Sequence, residues 1–173
     1  MQTTVTVSSA SSSAWIPLNQ WASSFAVSLA GVISNGASLT WKVEHTFGSV
    51  LRGEPCTITR SGTTATLVYT NHGLTANDSI IVSGAGSPFD GTYAVASVVD
   101  ANTITYTVTN TGPTTAVGAK VNLLPVFDHE TLVSQTTDAD GNYAYPCSAC
   151  RLTVTSYASG FVNLTVRQTE SRG

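Results

Sequence analysis

Hydrophobic and polar residues alternate along most of this chain, and the period is that of strands. Residues 37–47 read ASLTWKVEHTF. Leu39, Trp41, Val43, His45 and Phe47 fall on one parity, and Thr40, Lys42, Glu44 and Thr46 on the other. Successive side chains of a strand point to opposite faces, so this predicts a half-buried strand. Just upstream, Phe25, Val27, Leu29 and Ile33 share a parity, with Asn35-Gly36 between the two runs. That dipeptide is a strong cue for a tight hairpin, because both central positions of such a turn need positive φ. Near the other end, Cys150, Leu152 and Val154 alternate, as do Val162, Leu164 and Val166. Ser159-Gly160 between them predicts a second hairpin.

The middle of the chain has shorter runs. CTITR (56–60) and TATLVYT (64–70) flank Ser61-Gly62, a third predicted hairpin. SIIVSG, GTYAVASVV and NTITYTVT follow, and in the last Ile104, Tyr106 and Val108 alternate with polar residues. Turn-forming clusters separate them at 75–78, 86–91 and 100–102. Short strands at regular spacing predict a small barrel or sandwich of their own. The expected class is therefore all-β. A β-sandwich formed by residues 1–53 and 125–173 would carry an inserted β-module, residues 54–124. The joints, GSVLRGEP and LLPVFDH, both contain Pro, and the first contains two Gly; loop tips tolerate insertions. Residues 1–14, with the run SSASSS, read as a flexible arm. Asp140-Gly141 reads as a tight turn before YAYPC, and Pro146 places that segment at an edge or a bulge.

Composition narrows the function. Charged residues make up 10% of the chain, against about 25% in an average soluble domain. Ser and Thr fill the wet faces instead. The net charge is −3 with no basic run, which excludes the clustered Lys and Arg of a nucleic-acid footprint. No basic segment followed by an apolar one opens the chain, and no apolar run is long enough to span a bilayer. These features predict a protein made in a cytoplasm, with neither nucleic acid nor membrane as a partner.

The reactive residue types do not assemble into a recognisable site. Cys147 and Cys150 form a C-x-x-C, but zinc needs further ligands at suitable spacing. Three residues apart on an extended strand they point to opposite faces, so two buried thiols are expected unless Pro146 bends the chain. His45 sits on an apolar strand face, a place for a hydrogen-bonded core or interface histidine. His129 lies between Asp128 and Glu130, whose side chains diverge on an extended backbone. The run from Asp138 to Asn142 lacks the remainder of a calcium loop. There is no G-x-S-x-G elbow. Gly84-Ala85-Gly86 with Gly91 precedes a strand, so no helix dipole faces a phosphate there. No catalytic, cofactor or metal residue is assigned, and an enzyme is not expected. NHGLTANDSIIVSG, residues 71–84, reads as a strand end, a turn at His72-Gly73, a polar connection through Asp78 and the next strand. The apolar stretch AWIPLNQW offers Trp15, Ile16 and Trp21 either as a lid on the β-domain or as contacts for a partner, since Trp is a frequent interface anchor.

Several of these features occur together in a known setting. His72-Gly73-Leu74, Asp78, Ser83-Gly84, Gly91-Thr92-Tyr93-Ala94-Val95, the turn from Val98 to Thr103, and Thr105 to Val108 keep their order and spacing within 59–109. This stretch resembles a small β-module common in tailed-bacteriophage structural proteins. The flanks WIPLNQ, FAVSLAGVIS, LTWKVEHTF, DADGNYAYPCSACRLTVTS and GFVNLTVRQ resemble a small jelly-roll-like virion protein. The cysteine pair departs from the aliphatic residues expected there. The resemblance implies a jelly-roll-like sandwich with an inserted module. It further implies a capsid decoration or cement protein on the outside of the virion shell, partnered by the major capsid protein and by its own copies as a dimer or trimer. Alternatives are a tail, baseplate or fibre component touching the host, or a glycan-binding module that stacks sugars on Trp15, Trp21 or Tyr93.

Overall fold

The computed structural model describes residues 1–21 and 25–169, and every described element is a strand. The chain begins with β1 (Gln2–Val7), β2 (Ile16–Pro17), β3 (Val27–Ile33) and β4 (Ser38–Thr46). The middle supplies β5 (Glu54–Pro55), β6 (Thr57–Ser61), β7 (Thr64–Val68), β8 (Ser79–Ser83), β9 (Gly91–Ala94), β10 (Ser97–Asp100), β11 (Thr103–Thr107) and β12 (Lys120–Leu124). It closes with β13 (Phe127–Asp128), β14 (Ala139–Tyr143), β15 (Ala149–Ser159) and β16 (Val162–Gln168). Two compact units result, residues 1–46 with 127 onward, and residues 47–126. The sequence reading set the joints at 53/54 and 124/125. Gly48, which that reading left in the sandwich, lies against the Leu123 carbonyl within the second unit.

The first unit is a β-sandwich made by folding one sheet in half. Its two antiparallel sheets have the orders β1-β16-β3-β14 and β2-β15-β4-β13. The same four segments appear in the same order in both. Residues 27–46 supply β3 and β4, residues 149–168 supply β15 and β16, and the two run antiparallel along their whole length. Residues 2–17 follow one side, from Gln2↔Arg167 through Ser12↔Thr153 to Ile16↔Cys150. Residues 127–143 follow the other, from Phe127↔His45 through Gln135↔Trp41 to Tyr143↔Val27.

This corrects two of the expected hairpins. Gly36 (φ 72°) and Gly160 (φ 93°) do supply tight bends. The strands on either side of each bend, however, lie in opposite sheets. The two bends lock together: Ser34 N–H donates to the Phe161 carbonyl (2.9 Å), and Phe161 N–H donates to Ser34 Oγ (3.1 Å). A Cβ on Gly160 would stand 2.5 Å from that of Ala37. The third expected hairpin forms, with Ser61↔Thr64 closing β6 and β7 around Gly62.

Two further expectations change. Residues 1–14 are no loose arm, because β1 pairs with β16 from Gln2 to Val7 and Ser13 N–H donates to the Leu152 carbonyl (2.8 Å). Asp140-Gly141 is no turn, because it lies inside β14 and pairs with Ala30 and Leu29. Gly141 stands where a Cβ would come 3.0 Å from both His129 and Leu132, so its missing side chain makes room for the corner segment.

The alternating apolar residues of both sheets meet in one core that includes Val27, Leu29, Trp41, Val43, Leu152, Val154, Leu164 and Val166. Trp41 is its largest member and fully buried. Its indole occupies the place where a side chain on Gly31 would project from the facing sheet. Its Nε1–H donates to the Thr137 carbonyl at 3.2 Å.

The second unit closes into a barrel. Its sheets, β10-β11-β7-β6 and β5-β12-β8-β9, share two segments. Residues 91–100 pair with β8 through β9 and with β11 through β10. Residues 54–61 pair with β12 through β5 and with β7 through β6. The ring closes through these two shared segments. Ile58, Leu67, Ile80, Phe89, Ile104 and Tyr106 fill it.

Two outcomes follow from this packing. Gly31→Ala should lower stability by roughly 1–3 kcal/mol, the usual cost of overpacking a dense core. Trp41→Phe in the same chain should return part of the loss, read as a non-additive double-mutant cycle in urea. Second, Phe127 pairs with His45, so residues 47–126 can be replaced by a short Asn-Gly turn. The resulting chain should retain strand circular dichroism and cooperative melting.

Candidate functional site

The sandwich carries most of the chemistry on the outer face of the β2-β15-β4-β13 sheet. Lys42 and Glu44 share the outward parity of β4, and the register places Arg151 beside Glu44 and Asp128 on the other side. Lys42 Nζ reaches Asp128 (2.7 Å) and Glu44 (2.8 Å), and Arg151 Nε reaches Glu44 (2.7 Å). Thr153 Oγ1 donates to the same Glu44 oxygen at 2.8 Å. Burial alone would raise the Glu44 pKa, but the bonds from Lys42 and Arg151 outweigh it and hold the carboxyl below its ordinary value. The Arg151 guanidinium lies 4.5 Å over the Trp15 ring, a cation–π contact. The alternation of 37–47 already put Lys42 and Glu44 on one face. Their partners on β13 and β15 depend on strand order, which no local pattern encodes.

The three aromatic-stretch candidates separate. Ile16 pairs with Cys150 and packs in the core at 4% exposure, so a partner cannot reach it. Trp15 is half-buried under Arg151. Trp21 is 85% exposed. Tyr93, a candidate sugar platform, packs its ring 4.7 Å from Tyr106, and its hydroxyl lies 3.0 Å from the Pro88 carbonyl.

Two histidines act as backbone staples of the same design. His72 Nδ1 accepts from Leu74 N–H (3.0 Å), and Nε2 donates to the Asp100 carbonyl (2.9 Å). His129 Nδ1 accepts from Thr131 and Leu132 N–H (3.1 and 3.2 Å), and Nε2 donates to the Asn142 carbonyl (3.1 Å). Both rings are buried. Asp78, the other tempting residue of 71–84, accepts from Thr75 N–H (2.7 Å) and Val126 N–H (2.8 Å). Arg60 donates to Gly62, Asn110 and Gly112 and so fastens the 110–114 loop.

His45 sits beside Tyr143, Tyr145 and Phe127, with ring centroids 5.3, 5.6 and 5.7 Å away. Cys147 and Cys150 are both free and both in the core, because residues 144–148 bend before β15 begins. Burial pushes the Cys147 thiol up to about 12 and Cys150 further. Neither is a thiolate near neutrality. No three His, Cys, Asp or Glu side chains converge as metal ligands among the described residues.

On the opposite sheet an open groove of about 370 Å³ runs past Gln2, Ser28, Asp140, Thr165 and Arg167. Arg167 Nε donates to Gln2 Oε1 at 3.1 Å, and the groove brings the Asp140 carboxylate and the Ser28 and Thr165 hydroxyls into the same lining. Sequence reasoning passed over Arg167, whose parity on β16 gives its face and not its neighbours.

No protein-family model and no curated protein matches this chain. Among solved structures it is similar to part of a phage phi92 endosialidase, at 20% identity and a TM-score of 0.28. The match covers 79% of this chain and 16% of that one. The expectation that the chain is no enzyme is withdrawn on this finding, since the protein it is similar to is named for an enzymatic activity. So distant a likeness assigns no activity to this chain.

Burial lowers the pKa of both His45 and His129. The folded state therefore holds neutral rings at a pH where the unfolded chain already binds protons. The stabilisation is complete above the ordinary value of 6.5 and is lost as the pH falls below it. Urea midpoints should decline from pH 7 toward pH 5. Replacing both histidines by Gln should flatten that decline.

Proposed function

We propose that the chain is a bacteriophage virion protein that decorates the outside of the capsid and holds neighbouring capsomers together. The observation that carries the reading is where its polar chemistry goes. His72, His129, Asp78 and Arg60 are bonded to the protein's own backbone, and Glu44 is held between Lys42 and Arg151. What faces outward is rich in Thr and Ser, with single apolar side chains such as Trp21. A surface of this kind suits contact repeated by symmetry. The resemblance of 59–109 to a module of phage structural proteins supports the same reading. The partner is the major capsid protein, and Trp21 is the proposed anchor, with half-buried Trp15 as a second contact.

Copy number tests the reading. Gel densitometry of purified particles should show hundreds of copies per virion. A dozen or fewer would instead indicate a tail, baseplate or fibre component. Capsids lacking the protein should release DNA at a lower temperature than complete ones. Trp21→Ala should reduce occupancy on such capsids while leaving the isolated chain's melting temperature unchanged.

A further inference from the structure

We infer that the free edge of β1 is a self-association surface, on which two copies of this chain join their four-stranded sheets into one eight-stranded sheet across a two-fold axis. The inference does not depend on the capsid reading.

An exposed strand edge presents unpaired N–H and C=O groups, and proteins normally blunt such edges with charge, proline or closure. The other edges here are treated in that way. The second unit closes into a ring. In the sandwich, β14 carries Asp140, β13 is two residues long and includes Asp128, and β2 ends in Pro17. Among the described strands of the sandwich, the exception is β1. Its sequence, QTTVTV, has six residues with no charge, no proline and no bulge, and it ends the sheet order.

The register shows which groups are free. Met1 and Gln168 exchange both backbone bonds, at 2.9 and 3.0 Å. Hydrogen-bonded and non-hydrogen-bonded pairs alternate along an antiparallel ladder. Thr3, Val5 and Val7 therefore turn their backbone groups toward β16, and Gln2, Thr4 and Thr6 turn theirs outward.

Those three residues are self-complementary. With the two-fold axis at Thr4, Thr4 meets its own copy and Gln2 meets Thr6, so every outward N–H and C=O finds a partner. On the solvent face Thr4 meets Thr4 and Gln2 meets Thr6. On the core face Thr3 meets Val5, and both are only half-buried in the single chain. No like charges come opposite one another, which an uncharged strand guarantees and a random partner strand does not. This makes a second copy the fitting occupant, through an isologous interface.

Sedimentation velocity of the full chain over a broad concentration range should show a monomer–dimer equilibrium. Thr4→Lys places two ammonium groups opposite each other on the axis and should raise the dissociation constant by about tenfold or more. Thr4→Pro removes an outward N–H and the exposed Thr4–Thr165 hydroxyl contact while sparing the backbone bonds to β16, and should do the same with strand circular dichroism and cooperative melting retained. Thr4→Cys should form a disulfide-linked dimer on mild oxidation, since Cα atoms of such a pair lie about 5.5 Å apart. A wild-type chain that stays monomeric throughout overturns the inference. So does a dimer indifferent to both Lys and Pro, or a Thr4→Cys chain that does not cross-link.

Discussion

A strand segment that serves two sheets must bend, and both units are built on that requirement. In the sandwich the bend is closed over by Trp41. Four segments cross the fold line, and the two halves of each must then approach closely enough to exclude water. Gly31 allows this by leaving a gap in one sheet for the indole carried by the other. A side chain there would force the sheets apart at the point where their largest buried group sits. In the barrel the same requirement is met by sharing: residues 54–61 and 91–100 each begin in one sheet and end in the other, so the ring closes without a separate corner.

Much of this was legible in the sequence because alternation reports burial directly. Leu39, Trp41, Val43 and His45 are all buried, as are Val162, Leu164 and Val166, and Ile104, Tyr106 and Val108. Partner choice was not legible. A glycine at positive φ states that the chain turns, and it does not state whether the next strand pairs with the last one or crosses to the facing sheet. Asn35-Gly36 and Ser159-Gly160 cross. Asp140-Gly141 misled for a related reason. Glycine is also chosen where a neighbour needs the volume, here His129 and Leu132, and the sequence does not distinguish the two uses. The serine-rich start misled through composition, since its order comes from Thr153, Leu152 and β16, more than a hundred residues away.

The candidate site shows the same division. His72 and Asp78 could be read as turn residues, but their partners lie elsewhere in the chain: Asp100 ends β10, and Val126 links β12 to β13. The staple formed by His72 in the barrel recurs with His129 in the sandwich. In each, one ring nitrogen caps N–H groups just downstream and the other reaches a carbonyl across a gap. A neutral imidazole is suited to this, because it is donor and acceptor at once across a rigid ring. In a chain with so few charges, it ties an irregular segment down without leaving an ion to be solvated.

That economy of charge also shapes how the surface meets anything else. Lys42, Glu44, Arg151 and Asp128 neutralise one another in a line on one face. The net charge of −3 leaves little long-range field. Association steered by electrostatics gains speed at low salt and loses it as salt rises. A hydroxyl-rich surface with a free strand edge and isolated apolar side chains gains little from steering and loses little to salt. Its specificity then rests on register and shape, since backbone groups are common to every chain and only their spacing selects a partner. For a strand edge that selection is sharp, because a slip of one residue between the two strands sets the outward backbone groups of Thr4 against Val5, whose own groups are already turned toward β16.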